Sequence, residues 1–178
     1  MLEAGRKMRL LGHETDVTLS VAGRKWLVAD GRINMPDGEI YTAPEAQSVS
    51  GHIAFELGIF GGRQVRDIRL AWRDGELVSA SAGENEALLH HVLATDAGAS
   101  RVGEFAFGTN EAIDRLYKDM LLDEKMGGTV HLALGRAYPA CGGDNRSAIH
   151  WDIVKDTRRE GTVELDGHVV FENGRFLI

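Results

Sequence analysis

Hydrophobic and polar residues alternate over several stretches in the first half of the chain, a pattern typical of β-strands with one buried face. The alternation predicts five strands, at residues 16–22, 24–29, 49–55, 65–72 and 77–82. Gly23 separates the first two, which are expected to form a hairpin, and Asp74-Gly75 turns the chain between the last two. Only a short polar lead is expected before them. Strands joined by short turns are antiparallel, so the sheet is predicted to be largely antiparallel.

Two later segments place hydrophobic residues at helical spacing. Residues 84–94 and 111–122 each carry an apolar stripe, and Asn110 is a suitable N-cap for the second helix. Residues 102–107 predict a short buried strand between the helices, and residues 162–178 predict a closing meander with tight turns. The predicted fold class is α+β, with a mixed, mainly antiparallel sheet and two packed helices.

Length and composition suit a single globular domain that spans residues 1–178. The formal net charge is −7 and the basic residues are scattered, which argues against nucleic acid as a partner. No hydrophobic run approaches the roughly 20 residues of a membrane span, and the N-terminus lacks the apolar segment of a signal peptide. A cytoplasmic protein with no membrane partner is therefore expected. Cys141 is the single cysteine, so it forms no internal disulfide, and it is interpreted as a loop residue.

The stretch from residue 127 to residue 152 places three metal-binding side chains on two apparently buried strands. His131 lies in an alternating apolar run, on the face that carries small residues. His150 and Asp152 are two residues apart, so both project from one side of a strand, with Trp151 on the other. Either histidine alone is more readily explained as a satisfied core residue. Together they favour a metal site.

Two carboxylates lie in contexts that add to this picture. Glu39 is held in a loop between Pro36 and Pro44, and Glu104 lies inside an apolar strand, where an ionised carboxylate is costly unless a cation or hydrogen bonds compensate it. Carboxylates and imidazoles without a thiolate suit Zn²⁺, Co²⁺ or Mn²⁺. More carboxylates than one ion needs indicate two ions. No compact motif such as H-E-x-x-H is present, so the spacing alone does not establish the site.

Five motifs in order resemble the catalytic domain of the M29 metalloaminopeptidases, the group of aminopeptidase T, AmpS and PepS. The motifs are Asn34–Thr42, Gly103–Ala106, Asp123-Glu124, His131–Tyr138 and His150–Asp152. The resemblance runs from about Asp16 to the C-terminus. Members of this family usually carry an N-terminal α/β domain, to which nothing in the sequence corresponds. The chain is therefore expected to represent the C-terminal catalytic half alone.

This resemblance implies a two-metal site with zinc, cobalt or manganese. The implied ligands are Glu39, Glu104, Glu124, His131, His150 and Asp152. Glu104 is the expected bridging carboxylate, and Tyr138 matches a tyrosine near the metals in that family. Glu104 or Glu39 is expected to shuttle a proton, and Tyr138 is expected to hydrogen-bond a developing oxyanion. The resemblance also suggests a homodimer.

The predicted function is metal-dependent removal of N-terminal residues from small peptides by a water that two ions activate. One alternative is a metal-binding domain that is catalytically silent because its activity needs the missing N-terminal half. Another is an antiparallel binding module without metal, which requires every histidine and glutamate named above to be incidental. It ranks last for that reason.

Overall fold

The computed structural model describes residues 2–32 and 34–177. The strands in these ranges are β1 (Lys7–Gly12), β2 (Thr15–Ser20), β3 (Leu27–Ala29), β4 (Glu39–Thr42), β5 (Ser50–Phe60), β6 (Arg63–Arg73), β7 (Glu76–Ser81), β8 (Val102–Gly108), β9 (Thr129–Gly135), β10 (His150–Asp156), β11 (Thr162–Leu165), β12 (His168–Glu172) and β13 (Arg175–Phe176). The α-helices are α1 (Glu86–Leu93) and α2 (Met120–Asp123). Neither helix is long and apolar enough to cross a membrane.

The strands form two sheets. The large sheet has the order β13-β12-β11-β1-β2-β5-β6-β7, and the small sheet has the order β10-β9-β8-β4-β3. All neighbouring strands in the described residues pair antiparallel, which confirms the main expectation, although the expected mixed sheet was wrong. The fold is mainly β rather than α+β, because alternation and tight turns govern most of the chain and only α1 exceeds one helical turn.

The second predicted helix, at residues 111–122, was wrong, because only α2 at its end is helical. Backbone hydrogen bonds hold Asn110 against Lys125 and Gly127, and the segment then begins with a single turn, closed by a hydrogen bond from the Ile113 N–H to the Asn110 carbonyl oxygen, rather than with a helix. Lys118 has a φ of 63°, in the left-handed region that interrupts an α-helix. The apolar residues that suggested the helix instead cover β10, where Ile113 packs in a small cluster with Val154.

The predicted hairpin of residues 16–22 and 24–29 was also wrong. β2 pairs with β1 and β5 in the large sheet, whereas β3 pairs with β4 in the small sheet. One of the two partners of β2 is β1, which lies in the segment that the sequence predicts as a polar lead. Met8 and Leu10 of β1 are buried at alternate positions, which supplies the apolar face that this pairing needs.

The other strand predictions are confirmed. Those at residues 49–55, 65–72, 77–82 and 102–107 correspond to β5, β6, β7 and β8, with β5 extending further to Phe60. The closing meander corresponds to β11, β12 and β13; its last residue, Ile178, lies outside the described residues. The first predicted helix is α1.

The main hydrophobic core lies between the two sheets. From the small sheet, Phe105, Leu132 and Trp151 enter this core, and from the large sheet alternate residues such as Ile53 and Ile68 do. β5 and β10 approach so closely that a Cβ at Gly58 would lie 2.8 Å from the Trp151 ring. Because side chains alternate along a strand, the residues between these core positions in β8, β9 and β10 point to the opposite face of the small sheet.

Candidate metal centre

Four neighbouring strands of the small sheet bring acidic and imidazole groups to the face that points away from the main core. β4 begins with Glu39, and β8 carries Glu104. β9 carries His131, and β10 carries His150 and Asp152. All five belong to the residues predicted as ligands. Side chains on adjacent strands of one face lie within reach of each other, so this register assembles them.

Small residues leave space between the polar groups. Ala133 pairs with Glu104 on one side and with Asp152 on the other, and Ala106 pairs with His131. The methyl groups of these alanines occupy positions where a larger side chain would fill the space between the strands. The alternation of alanine with charged residues therefore leaves no bulky side chain between the donor groups on this face.

The polar groups form two overlapping sets. Glu39, Glu104 and His131 offer ligand atoms that all lie within 4.8 Å of one another, as do Glu104, His150 and Asp152. Glu104 belongs to both sets. Its Oε1 lies 3.0 Å from Nε2 of His131, and its Oε2 lies 3.6 Å from Nε2 of His150. One carboxylate therefore faces both imidazoles, one with each oxygen.

In each set, the imidazole also lies near a second carboxylate. Nε2 of His131 lies 3.5 Å from Oε2 of Glu39, and Nε2 of His150 lies 3.4 Å from Oδ1 of Asp152. Glu104 and Asp152 are buried, and His131 has no exposed surface. A group of this composition at these separations can hold a divalent ion.

Several buried polar atoms lack hydrogen-bond partners here. They include Oε2 of Glu104, Oδ1 of Asp152 and Nδ1 of His131. Nδ1 of His150 lies 2.7 Å from the carbonyl oxygen of Arg136, which suits a proton on Nδ1 and a free lone pair on Nε2. Buried carboxylate oxygens without partners are costly, and a cation satisfies them. The donor set therefore fits divalent ions.

The titration behaviour of the cluster reflects burial and mutual charge. Burial raises the pKa of Glu104, against the hydrogen bond with His131. Burial alone lowers the pKa of His131, but the hydrogen bond to Glu104 and the surrounding carboxylates outweigh it and raise the pKa to about 9. Asp152 outweighs burial in the same way for His150 and raises its pKa to about 9. The cluster thus attracts positive charge, which protons or metal ions can supply.

Glu124, the sixth predicted ligand, lies at the C-cap of α2 and belongs to neither set. Burial and the charge of Asp152 raise the pKa of Glu124 to about 7. Its carboxylate accepts a hydrogen bond from Lys125, whose side chain is fully buried and lies 3.9 Å from Oε1 of Glu39. Glu124 therefore approaches the cluster from residues 109–127, the covering segment that crosses the outer face of the small sheet, rather than from the sheet itself.

Sequence reasoning missed Lys125. A lysine at the end of a predicted helix suggests a solvated side chain, and its burial depends on the segment that crosses over the small sheet. The available signal was its position next to Glu124, since a buried carboxylate needs a nearby cation. The structure places this ammonium between two of the predicted ligands.

Tyr138 lies beside the cluster, in the loop that follows β9. Its ring centroid is 4.9 Å from that of His150 and 5.5 Å from that of Tyr41. Burial and the charges of nearby carboxylates, Glu104 first, raise the pKa of Tyr138 above its usual range. The phenol is therefore a hydrogen-bond donor at neutral pH. Cys141 lies further along the same loop and is buried; burial raises its pKa to about 11, so its thiol is not ionised at neutral pH.

Comparison with known proteins places this arrangement in a family. A family model described as thermophilic metalloprotease (M29) matches residues 2–176. Aminopeptidase T of Thermus thermophilus is 29% identical over 92% of this chain and 45% of that protein. Aminopeptidase 2 of Geobacillus stearothermophilus is 32% identical over 60% of this chain and 26% of that protein. The chain spans less than half of the length of either relative.

Two solved structures are similar to this chain in fold. The structure of wild-type AmpT from Thermus thermophilus is similar with a TM-score of 0.86 and 26% identity, over 99% of this chain and 51% of that one. A 2,5-dihydroxypyridine dioxygenase from Pseudomonas putida KT2440 is similar with a TM-score of 0.78, over 99% of this chain and 56% of that one. At 16% identity the dioxygenase shares the fold alone. The resemblance that the five sequence motifs indicated is confirmed by the family match, and the chain belongs to the M29 family of thermophilic metalloproteases.

Proposed function

We propose that this chain is a metal-dependent aminopeptidase domain that hydrolyses the N-terminal peptide bond of small peptides. Membership of the M29 family and the printed names of the aminopeptidase relatives support this function. The observation that carries it is Glu104, a buried carboxylate shared by two donor sets, with one oxygen that has no hydrogen-bond partner. A shared carboxylate is the feature expected where two ions lie side by side.

The proposed site holds two divalent ions of zinc, cobalt or manganese. The proposed ligands are Glu39, Glu104, Glu124, His131, His150 and Asp152. Glu104 would contribute to the binding of both ions, because among the described residues it alone belongs to both sets. Ions of this kind act as Lewis acids, which polarise a carbonyl group and make water a stronger acid.

The side chains of the chain supply the remaining chemistry. The carboxylate of Glu39 or Glu104 takes a proton from the attacking water while the water oxygen bonds to the scissile carbonyl carbon, and it returns the proton to the leaving amine as the C–N bond breaks. Tyr138 donates its phenolic proton in a hydrogen bond to the carbonyl oxygen as negative charge develops there. His150 keeps its orientation through its contact with the carbonyl oxygen of Arg136.

A peptide with a free amino terminus suits a site that holds divalent ions. Four carboxylates converge on the cluster, with Lys125 as the lysine between two of them, and two divalent ions would offset their charge. A free terminal amine has a lone pair that such an ion would bind, whereas an acylated nitrogen has no available lone pair. Small peptides are therefore the proposed substrates, and a homodimer is the proposed assembly, on the family resemblance alone.

Hydrolysis of aminoacyl p-nitroanilides tests this function. The purified chain is loaded with Zn²⁺, Co²⁺ or Mn²⁺ and given L-leucine p-nitroanilide and its N-acetyl derivative. We expect release of p-nitroaniline from the free amine only, with the rate abolished by a chelator and restored by added metal.

Metal binding without hydrolysis of any such substrate would contradict the proposal. That result would favour the alternative of a catalytically silent metal-binding domain, which the coverage of less than half of the aminopeptidase relatives makes a specific rival. Equal hydrolysis of the acetylated substrate would instead indicate a hydrolase that does not read the amino terminus.

A further inference from the structure

An apolar groove opens beside the candidate metal centre. It has a volume of about 420 Å³, and its hydrophobic walls come from the end of β5 and from α2. Ile59 and Phe60 form the first wall, and Met120 and Leu121 form the second. Met120 is 38% exposed and Leu121 is 39% exposed. Ile59 and Phe60 are half-buried. Single exposed hydrophobic residues are ordinary, but a groove with hydrophobic residues on both walls is typical of a binding site.

The groove is continuous with the metal-binding groups. His150 lines it directly, and Ile59 and Met120 also line a narrow cleft that reaches Asp152. The cleft has room for no more than a water-sized group, about 10 Å³, whereas the groove admits a large side chain. An occupant of the groove therefore lies against one of the two donor sets.

The two walls are held in place from behind. The Phe60 ring packs at 5.5 Å, edge to face, on Trp151, which lies on β10 between His150 and Asp152. α2 is capped by Asp119, whose side chain accepts a hydrogen bond from the backbone N–H of Leu122. Asp119 borders the groove, but its carboxylate is engaged in this cap. Lys118 lines the groove as well, so the lining combines this charged side chain with the aliphatic, aromatic and thioether groups of the two walls.

The covalent geometry of a peptide's N-terminal residue places its side chain close to the reacting carbonyl group. The side chain of that residue branches from the carbon that carries both the amine and the scissile carbonyl, so it leaves the reacting centre after one bond. It must enter a space that borders the donor groups. The other groove in this part of the fold, along residues 136–147, is lined by none of the proposed ligands. Among the described pockets that are large enough for a side chain, the groove at α2 is the one that a proposed ligand, His150, lines directly.

We infer that the groove formed by Ile59, Phe60, Met120 and Leu121 binds the side chain of the substrate's N-terminal residue and selects large apolar side chains such as those of leucine, methionine and phenylalanine. This inference rests on the proposed aminopeptidase function. Met120 suits a pocket that takes several shapes, because its thioether side chain adapts to its contacts. The preference arises because such side chains lose contact with water in the groove and alanine or glycine has little to bury there.

Substrate preference in a matched pair of variants tests the inference. Leu121→Ala removes part of one wall, and Leu177→Ala removes the same atoms from a residue that is 57% exposed beyond β13 and lines no part of the groove. We expect the ratio of kcat/KM for leucine over alanine p-nitroanilide to fall about tenfold in Leu121→Ala, the scale of a lost apolar contact in a pocket. The ratio is expected to stay unchanged in Leu177→Ala.

Binding provides a readout that needs no turnover. L-leucinol and 2-aminoethanol share the amine and the hydroxyl group and differ by the isobutyl side chain. Titration calorimetry of the metal-loaded chain is expected to give a dissociation constant about tenfold lower for leucinol, with the difference lost in Leu121→Ala and kept in Leu177→Ala. Preference for leucinol without any hydrolysis would support the groove and contradict the proposed function.

Two results overturn the inference while leaving the function intact. One is hydrolysis of leucine and alanine substrates with a ratio that Leu121→Ala does not change. The other is a change of molecular mass in solution, by analytical ultracentrifugation, in Leu121→Ala with the same substrate ratio. That second result would mean that the groove is a surface for another protein chain rather than a pocket for substrate.

Discussion

The two sheets differ in how their strands are buried. In the large sheet, β2 and much of β6 alternate between buried and more exposed residues, so one face covers the core and the other meets solvent. In the small sheet, β8 and β9 are buried at every residue. Yet the small sheet carries Glu104 and His131, whereas fully buried strands normally consist of hydrophobic residues. Polar residues on a strand that is buried on both faces are therefore the reason why the candidate site is assigned to the small sheet.

The difference follows from what covers each sheet. In the described residues of the large sheet, charged side chains pair on the surface, as Arg69 does with Glu14 at 2.7 Å. The outer face of the small sheet is covered by residues 109–127, which bring Glu124 and Lys125 over the cluster. Charge under such a cover is costly unless it is neutralised, which is why the metal site is proposed on the small sheet.

The largest expected effect is the difference in activity and metal content between removing a carboxylate from the small sheet and removing one from the large sheet. Glu104→Gln removes the charge shared by both donor sets, and we expect kcat/KM to fall by about 10³-fold together with the metal content. Glu172→Gln, an equivalent change at an exposed position on β12, is expected to alter neither. Full activity and full metal content in Glu104→Gln would show that the shared carboxylate has no such role.

The two faces of β8 give a second contrast. Phe107 lies on the core face and packs against Trp26, Phe171 and Phe176, with ring centroids 4.9 to 6.0 Å apart. Phe107→Ala should lower the free energy of unfolding by about 4 kcal/mol. Val169→Ala, on the exposed face of β12, should change it by less than about 0.5 kcal/mol.

Urea denaturation measures both changes, and metal content per folded chain serves as the control for Phe107→Ala. We expect that content to stay at the wild-type level, because Phe107 points away from the donor sets. Loss of metal from the folded Phe107→Ala variant would mean that the two faces of the strand are not independent.

The loss of stability on breaking an ion pair should also differ between the covered cluster of the small sheet and the surface of the large sheet. Lys125 is fully buried beside Glu124 and Glu39, so Lys125→Met leaves buried carboxylates without their cation and should cost about 3 kcal/mol in the metal-free protein. Arg69→Met breaks an exposed pair and should lower the free energy of unfolding much less than Lys125→Met does. Denaturation in the presence of chelator measures both. Equal costs would mean that the cover does not keep water from Lys125.

The smallest expected effect is on the thermal stability contributed by Asp96, whose hydrogen bonds hold the loop before β10. Asp96 accepts hydrogen bonds from the backbone N–H groups of Ala148 and Gly98 and from the hydroxyl group of Ser147, just before β10. These bonds, that of Ala148 foremost, lower the pKa of Asp96. A carboxylate whose pKa is lowered on folding adds stability above its unfolded pKa of roughly 4, and that stability is lost as the pH falls through the folded pKa.

Asp96→Asn should therefore have a slightly lower Tm than the wild type at pH 7, and the difference should shrink toward pH 3. Thermal denaturation monitored by circular dichroism over this pH range measures it. A difference in Tm that stays constant from pH 7 to pH 3 would assign the effect to shape rather than to charge.

The candidate site was more predictable from sequence than the pairing of the early strands. His150 and Asp152 share a face because side chains on a strand repeat every two residues, which needs no knowledge of the rest of the fold. Glu104 stood out because a carboxylate in an apolar strand needs compensation. Both arguments are local, and the structure brings these three residues together with Glu39 and His131.

The errors arose where distant contacts decide local structure. Residues 111–122 have helical periodicity, but Asn110 is fixed by backbone hydrogen bonds to Lys125 and Gly127, and the apolar residues are used to cover β10 instead. Residues 16–29 look like a hairpin, but β2 finds its partner in β1 and β3 finds its partner in β4. The burial of Lys125 follows from the same covering segment, and its position next to Glu124 was the single local signal for it.

Metal content per chain tests the central claim most directly. Elemental analysis after purification without chelator, or after reloading with Zn²⁺ or Co²⁺, should give close to two ions per chain in the wild type and in Glu172→Gln. The content should fall in both His131→Ala and His150→Ala, because each imidazole belongs to a different donor set. A wild-type chain that binds no metal under either condition, or histidine variants that each retain two ions, would contradict the account.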